Sequence, residues 1–165
     1  MKKLFLLLGL ATFCAVSFTS CGKDSDELFK EPYLNFGATQ SKVKSSWTGY
    51  TLMNETSTAL LYLGKGNVNF YGYSFSGNAL NGSMVLLKES ITMQETREFI
   101  GERYQSIGSD GTYHMYMSND GTMAISVVFD TETNNVNVIY TPMPTTKNSP
   151  ENMFSAIRTL IGSVE

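Results

Sequence analysis

From Met123 to Asp130 the chain reads "MAISVVFD", with Met123, Ile125, Val127 and Phe129 at every second position. A strand sends alternate side chains to opposite faces, so this run predicts a β-strand with one buried face. Such a face needs neighbouring strands and a cover, and the flanking sequence supplies both. "TYHMYMS" (112–118) precedes it across Asn119-Asp120-Gly121, a strong hairpin signal, and "NVNVIYT" (135–141) follows it. Upstream, "ITMQETREFIGERYQSIG" carries a capping box, Thr92 with Glu95, that satisfies two orphan backbone donors at once. Phe99, Ile100, Arg103, Tyr104 and Ile107 mark one helical face, with Gly108 placed as its C-terminal cap.

The preceding stretch has the same plan. In "FGATQSKVKSSW", Thr39 is an N-cap, and Val43 and Trp47 lie four residues apart on one helical face. Strands are predicted at 58–64, 67–76 and 79–90, separated by Gly64-Lys65-Gly66 and by Gly77-Asn78. Thr39 to Leu60 spans 21 residues, as does Thr92 to Tyr113, and Phe75 and Phe129 lie 36 and 37 residues after their respective caps. The expectation is an α+β domain over 33–165. It contains degenerate repeats at 36–88 and 91–141, each a helix plus three strands, joined into an antiparallel sheet of about six strands with helices on one face. A further helix over 150–164 starts at Ser149-Pro150 and carries Met153, Phe154, Ile157, Leu160, Ile161 and Val164 as an apolar stripe. That stripe reads as core packing, with a partner-binding helix as the alternative.

The first 20 residues predict export. Lys2 and Lys3 precede an apolar run from Leu4 to Phe18, which is short of the roughly 20 residues that span a bilayer. The chain has two cysteines, and Cys14 lies inside that run. Cleavage between Ser20 and Cys21 would leave one cysteine in an oxidising compartment where pairs are usual. "FTSC" resembles the bacterial lipobox, with Phe18 where Leu is usual, and the resemblance implies acylation of Cys21. An ordinary signal peptide with Cys21 as a stray thiol is the alternative. Residues 21–32 then read as an acylated N-terminus and tether. Lys23, Asp24, Asp26 and Glu27 resemble the acidic export signal of surface lipoproteins in Bacteroidetes-type bacteria. The expected location is the outer membrane, on the cell surface or otherwise facing the periplasm.

Charge and chemistry narrow the function. Removing the leader with Lys2 and Lys3 leaves 10 basic against 15 acidic residues, a net of −5. With no basic patch, neither nucleic acid nor an anionic membrane surface is an expected partner, so the membrane is reached through the lipid. His114 is the only histidine, and no metal-binding histidine spacing or G-x-S-x-G elbow occurs. No catalytic residues, metal or cofactor are expected. Glu95, Glu98 and Glu102 read as the solvated side of a helix, and Asp110-Gly111 and Asp120-Gly121 read as turns. Tyr71 and Tyr73 share a strand face. Exposed, they would be a platform for a protein partner or a sugar; beneath the helices they are core, which a sheet covered by helices favours.

Gly37, Thr39, Val43, Trp47-Thr48-Gly49, Tyr73-x-Phe75 and Leu80 resemble the pattern of the SmpA/OmlA family of small lipoproteins, over some 45 residues. The chain lacks the Leu-Gly-x-Pro that usually follows the helix in that family. The resemblance implies the fold of β-lactamase inhibitor proteins, themselves tandem repeats of helices on an antiparallel sheet. It also implies a protein-binding or envelope-assembly role without catalytic residues. The chain is similar, too, to small lipoproteins of gut Bacteroidetes. The expected function is a non-catalytic lipoprotein that binds a protein partner or assists envelope assembly; the alternative is a surface glycan- or nutrient-binding accessory protein.

Overall fold

Turn chemistry sets the strand boundaries. Gly77 and Asn78 both adopt positive φ, 56° and 66°, the mirror-image turn geometry that joins two strands through two residues. At Gly64 an added Cβ would collide with the Val68 carbonyl, so only glycine closes that hairpin. A computed structural model of the chain describes residues 27–110 and 113–143. In order, the elements are α1 (Gln40–Ser46), β1 (Leu52–Glu55), β2 (Ala59–Leu63), β3 (Val68–Ser76), β4 (Ala79–Leu87), α2 (Met93–Gly101), β5 (Gln105–Asp110), β6 (Tyr113–Met117), β7 (Met123–Asp130) and β8 (Asn135–Pro142). The strands form one eight-stranded sheet in the order β1-β2-β3-β4-β8-β7-β6-β5, and every pairing is antiparallel. The chain is therefore α+β.

Both helices start where their caps predict. Thr39 Oγ1 accepts from the Lys42 amide, and α2 has the full reciprocal box: Thr92 Oγ1 accepts from Glu95 N at 3.2 Å while Glu95 Oε2 accepts from Thr92 N at 2.8 Å. Val43 and Trp47 from the first helical region, and Phe99 and Ile100 from α2, enter a single core. That core includes Leu60, Tyr71, Val85, Ile125, Val127 and Tyr140 from the strands.

Three expectations need correction. Each half has four strands, so the sheet has eight rather than about six. The additional strands, β1 and β5, form the two edges. The second helix also ends at Gly101 instead of running to Gly108. The amides of Arg103 and Tyr104 close the last turn on the Ile100 carbonyl, and Tyr104 then leaves the helix to place its hydroxyl 2.8 Å from Glu31. Gly108, the expected cap, sits beside a bulge where β5 pairs with β6. Finally, residues 28–32 are not tether. Phe29 and Pro32 are buried, and Phe29 stacks on Phe99 with ring centroids 4.5 Å apart. The signal segment, Cys21 and the helix expected at 150–164 lie outside the described residues.

Candidate functional site

The period-two pattern of β3 sends Tyr71, Tyr73 and Phe75 toward the helices, where Trp47 caps the end of α1. Trp47 lies 4.5 Å from the Tyr71 ring and 5.8 Å from the Tyr73 ring, centroid to centroid. The two tyrosines are 1% and 2% exposed, so they form core and not an exposed platform. Their hydroxyls still have structural work. Tyr71 donates to the Lys30 carbonyl at 2.9 Å, and Tyr73 accepts from the Tyr33 amide at 3.2 Å. With Ser83 Oγ donating to the Tyr33 carbonyl at 2.7 Å, these bonds strap residues 28–36 across the sheet. Burial holds both phenols well above the ordinary tyrosine range, so they remain protonated and are unsuited to act as bases.

The accessible margin of this cluster is occupied by cations. Lys30 Nζ lies 4.8 Å from the Trp47 ring and 5.3 Å from Tyr50, while Lys65 Nζ lies 4.8 Å from Tyr50 on the same cluster. Cation–π contacts of this kind hold the two lysines against the rings of the cluster.

Beyond this cluster the sheet reaches its edge at β1, all four of whose residues are exposed. Leu52, Met53 and Leu63 are 38%, 53% and 44% exposed and lie together, since the Leu63 amide bonds the Thr51 carbonyl at 2.9 Å. A bulge between Leu52 and Asn54 sets Met53 out of register with β2. The charge on β1 is Glu55, which pairs with Lys44 at 2.9 Å. An edge strand offers backbone donors and acceptors on its outer side, so this region combines hydrogen-bonding capacity with apolar side chains. Sequence pattern missed it, because β1 has no buried alternation to reveal a strand.

The remaining candidates resolve into structure. His114 is half-buried, and burial, with the charge of Arg97 adding to it, pushes its pKa below the usual histidine value. Glu95, Glu98 and Glu102 are exposed and border an open cleft of about 360 Å³ with Glu27, Leu28, Asn67 and Phe99. The Glu95 carboxylate is committed to Thr92, whose side chain and amide lower its pKa. Asp120 accepts from Ser118 Oγ at 2.6 Å and from the Thr122 amide at 3.1 Å, closing the β6–β7 turn. Among the described residues, no group of three His, Cys, Asp or Glu is placed to hold a metal ion. Nor is any described helix long and apolar enough to cross a membrane. No family model, curated protein or solved structure matches the chain.

Proposed function

We propose that the chain is an exported, non-catalytic lipoprotein, acylated on Cys21 after cleavage between Ser20 and Cys21, that binds a protein partner at the β1 edge. The observation that carries this reading is the exposed edge itself, where Leu52, Met53 and Leu63 flank an outward-facing backbone. A partner adding an extended segment there would gain main-chain hydrogen bonds from the strand and apolar contacts from the three side chains. The lipid holds the domain at the outer membrane, on the cell surface in the favoured form of the proposal. The resemblance to SmpA/OmlA lipoproteins points to the same class of role. The glycan alternative is weaker, because Tyr71 and Tyr73 are core residues.

The proposal includes a tandem origin for the domain. Its support is the mirrored strand order about β4 and β8, with a threonine-capped helix opening each half. Each edge would then be the first strand of its repeat.

Affinity capture of the acylated protein from membranes, beside a Met53→Lys variant, tests the binding site. Lysine on an edge strand opposes strand addition. The expected result is a protein retained by the wild type and lost from the variant. Equal retention by both, or recovery of a glycan instead, would contradict the proposal.

A further inference from the structure

The two ends of the β1 edge differ in charge. At the C-terminal end Glu55 is neutralised by Lys44, 2.9 Å away. At the N-terminal end the pairing with β2 continues past the strand, where the Leu63 amide bonds the Thr51 carbonyl at 2.9 Å. That bond sets Tyr50, just before Thr51, close to Lys65, just after Gly64, and Lys65 Nζ lies 4.8 Å from the centre of the Tyr50 ring. Lys30 arrives from the strapped segment, its Nζ 5.3 Å from the same ring and 4.8 Å from Trp47. Three separate segments thus bring two ammonium groups to one aromatic residue at the end of the open edge.

Neither ammonium has an acidic partner among the described residues, whose ion pairs join Lys44 to Glu55 and Arg103 to Glu27 and Glu102. Glu31, next to Lys30 in sequence, is turned to Tyr104 and Tyr140 instead. Both lysines are exposed. Contact with the ring offsets part of the repulsion between like charges brought together, and a carboxylate beside them would offset the remainder.

The direction of the edge decides which part of a partner meets these charges. Leu52 stands opposite Tyr62, flanked by the bond from Leu63 to Thr51, so Leu52 turns its own amide and carbonyl to the open side. Every pairing in the sheet is antiparallel, the arrangement that is more stable per residue. A segment added antiparallel to β1 runs from Glu55 toward Leu52. Its C-terminal end therefore comes to Tyr50, Lys30 and Lys65.

We propose that the protein segment bound at the β1 edge runs antiparallel to β1 and carries a carboxylate at its C-terminal end, held by Lys30 and Lys65 beside Tyr50. The inference rests on the β1 reading and adds a direction and a charge requirement to it. Leu52, Met53 and Leu63 meet the apolar side chains upstream of that carboxylate, and the lysines select against a segment that ends neutral or basic. The carboxylate is the chain terminus or the side chain of an aspartate or glutamate, since both present the same oxygens to an ammonium.

A short extended peptide of alternating valine and threonine, with a nitroxide on its N-terminus, serves as the probe. It is made with a final aspartate amide, a final asparagine carrying a free carboxyl, and a final asparagine amide. Binding to the full chain is read by nuclear magnetic resonance. At least one carboxylate-bearing form should bind the wild type roughly fivefold tighter than the neutral amide, and which one does so identifies the source of the carboxylate. Lys30→Gln with Lys65→Gln should erase that preference without weakening the neutral form, and Met53→Lys should weaken every form. Paramagnetic broadening should fall on 55–59 and spare 64–67. Equal binding of all forms that still depends on Met53 would overturn this inference and leave the β1 reading standing. Binding by no form would overturn both. A carboxylate preference that ignores Met53→Lys would overturn both as well, reducing the lysines to a site for small anions. Broadening at 64–67 instead would overturn the antiparallel direction.

Discussion

Alkaline pH should unfold this domain through three of its tyrosines. Tyr71, Tyr73 and Tyr140 are 1%, 2% and 0% exposed, and burial raises the pKa of each far above its ordinary value. At Tyr140 the nearby Glu31 carboxylate, 3.4 Å from the hydroxyl, acts in the same direction. In an unfolded chain all three titrate near 10. Their contribution to stability is therefore complete below about pH 10, and it is lost above that because only the unfolded chain releases these protons. Each tyrosine contributes about 1.4 kcal/mol per pH unit, so the three together give a slope of about 4 kcal/mol per unit. A domain stable by about 5–15 kcal/mol should lose its fold within roughly one to four units above pH 10. Tyr140→Phe should flatten the slope by about 1.4 kcal/mol per unit. The assay is urea unfolding across the alkaline range, followed by circular dichroism and by tyrosinate absorbance. Ionisation of the buried tyrosines should coincide with loss of structure. Full ionisation with native dichroism intact, or an unchanged slope in Tyr140→Phe, would refute the reasoning.

Three further outcomes are expected. Thr92→Ala removes the reciprocal cap of α2 and should cost about 1 kcal/mol by urea unfolding, whereas Thr92→Ser should restore most of it. Trp47→Ala empties a site in contact with Tyr50, Tyr62, Tyr71 and Tyr73 and should cost about 3–5 kcal/mol, measured by circular dichroism because the chain has no other tryptophan. A fatty-acid analogue fed to the producing cells should label the wild type and not Cys21→Ala; equal labelling would end the lipoprotein reading.

Local signals carried much of this fold. Thr39 and Thr92 marked both helix starts, and Gly77-Asn78 and Asn119-Asp120-Gly121 marked hairpins, because caps and turns are specified by neighbouring residues. Strands with one buried face, such as β3 and β7, announced themselves by alternation. What escaped notice depends on distant partners. Phe29 is buried because Phe99 stacks on it, and Glu31 is held by Tyr104 and Tyr140, none of which a local window contains. Residues 105–107 read as helix because Tyr104 and Ile107 continue the spacing from Ile100; Gly101 and the docking of Tyr104 beside Tyr140 end it instead. β1 escaped because a fully exposed edge strand carries no periodicity. The candidate site therefore moved from Tyr71 and Tyr73, visible in sequence and buried in the fold, to Leu52, Met53 and Leu63, visible only once strand order was known.

Site-specific photo-crosslinking in living cells tests the binding claim most directly. A photoreactive side chain at Met53 sits on the exposed β1 edge, and one at Thr131 serves as control on the exposed β7–β8 turn. The account predicts a discrete protein adduct from position 53 and none from position 131. No adduct at 53, or the same adducts from both positions, would contradict it.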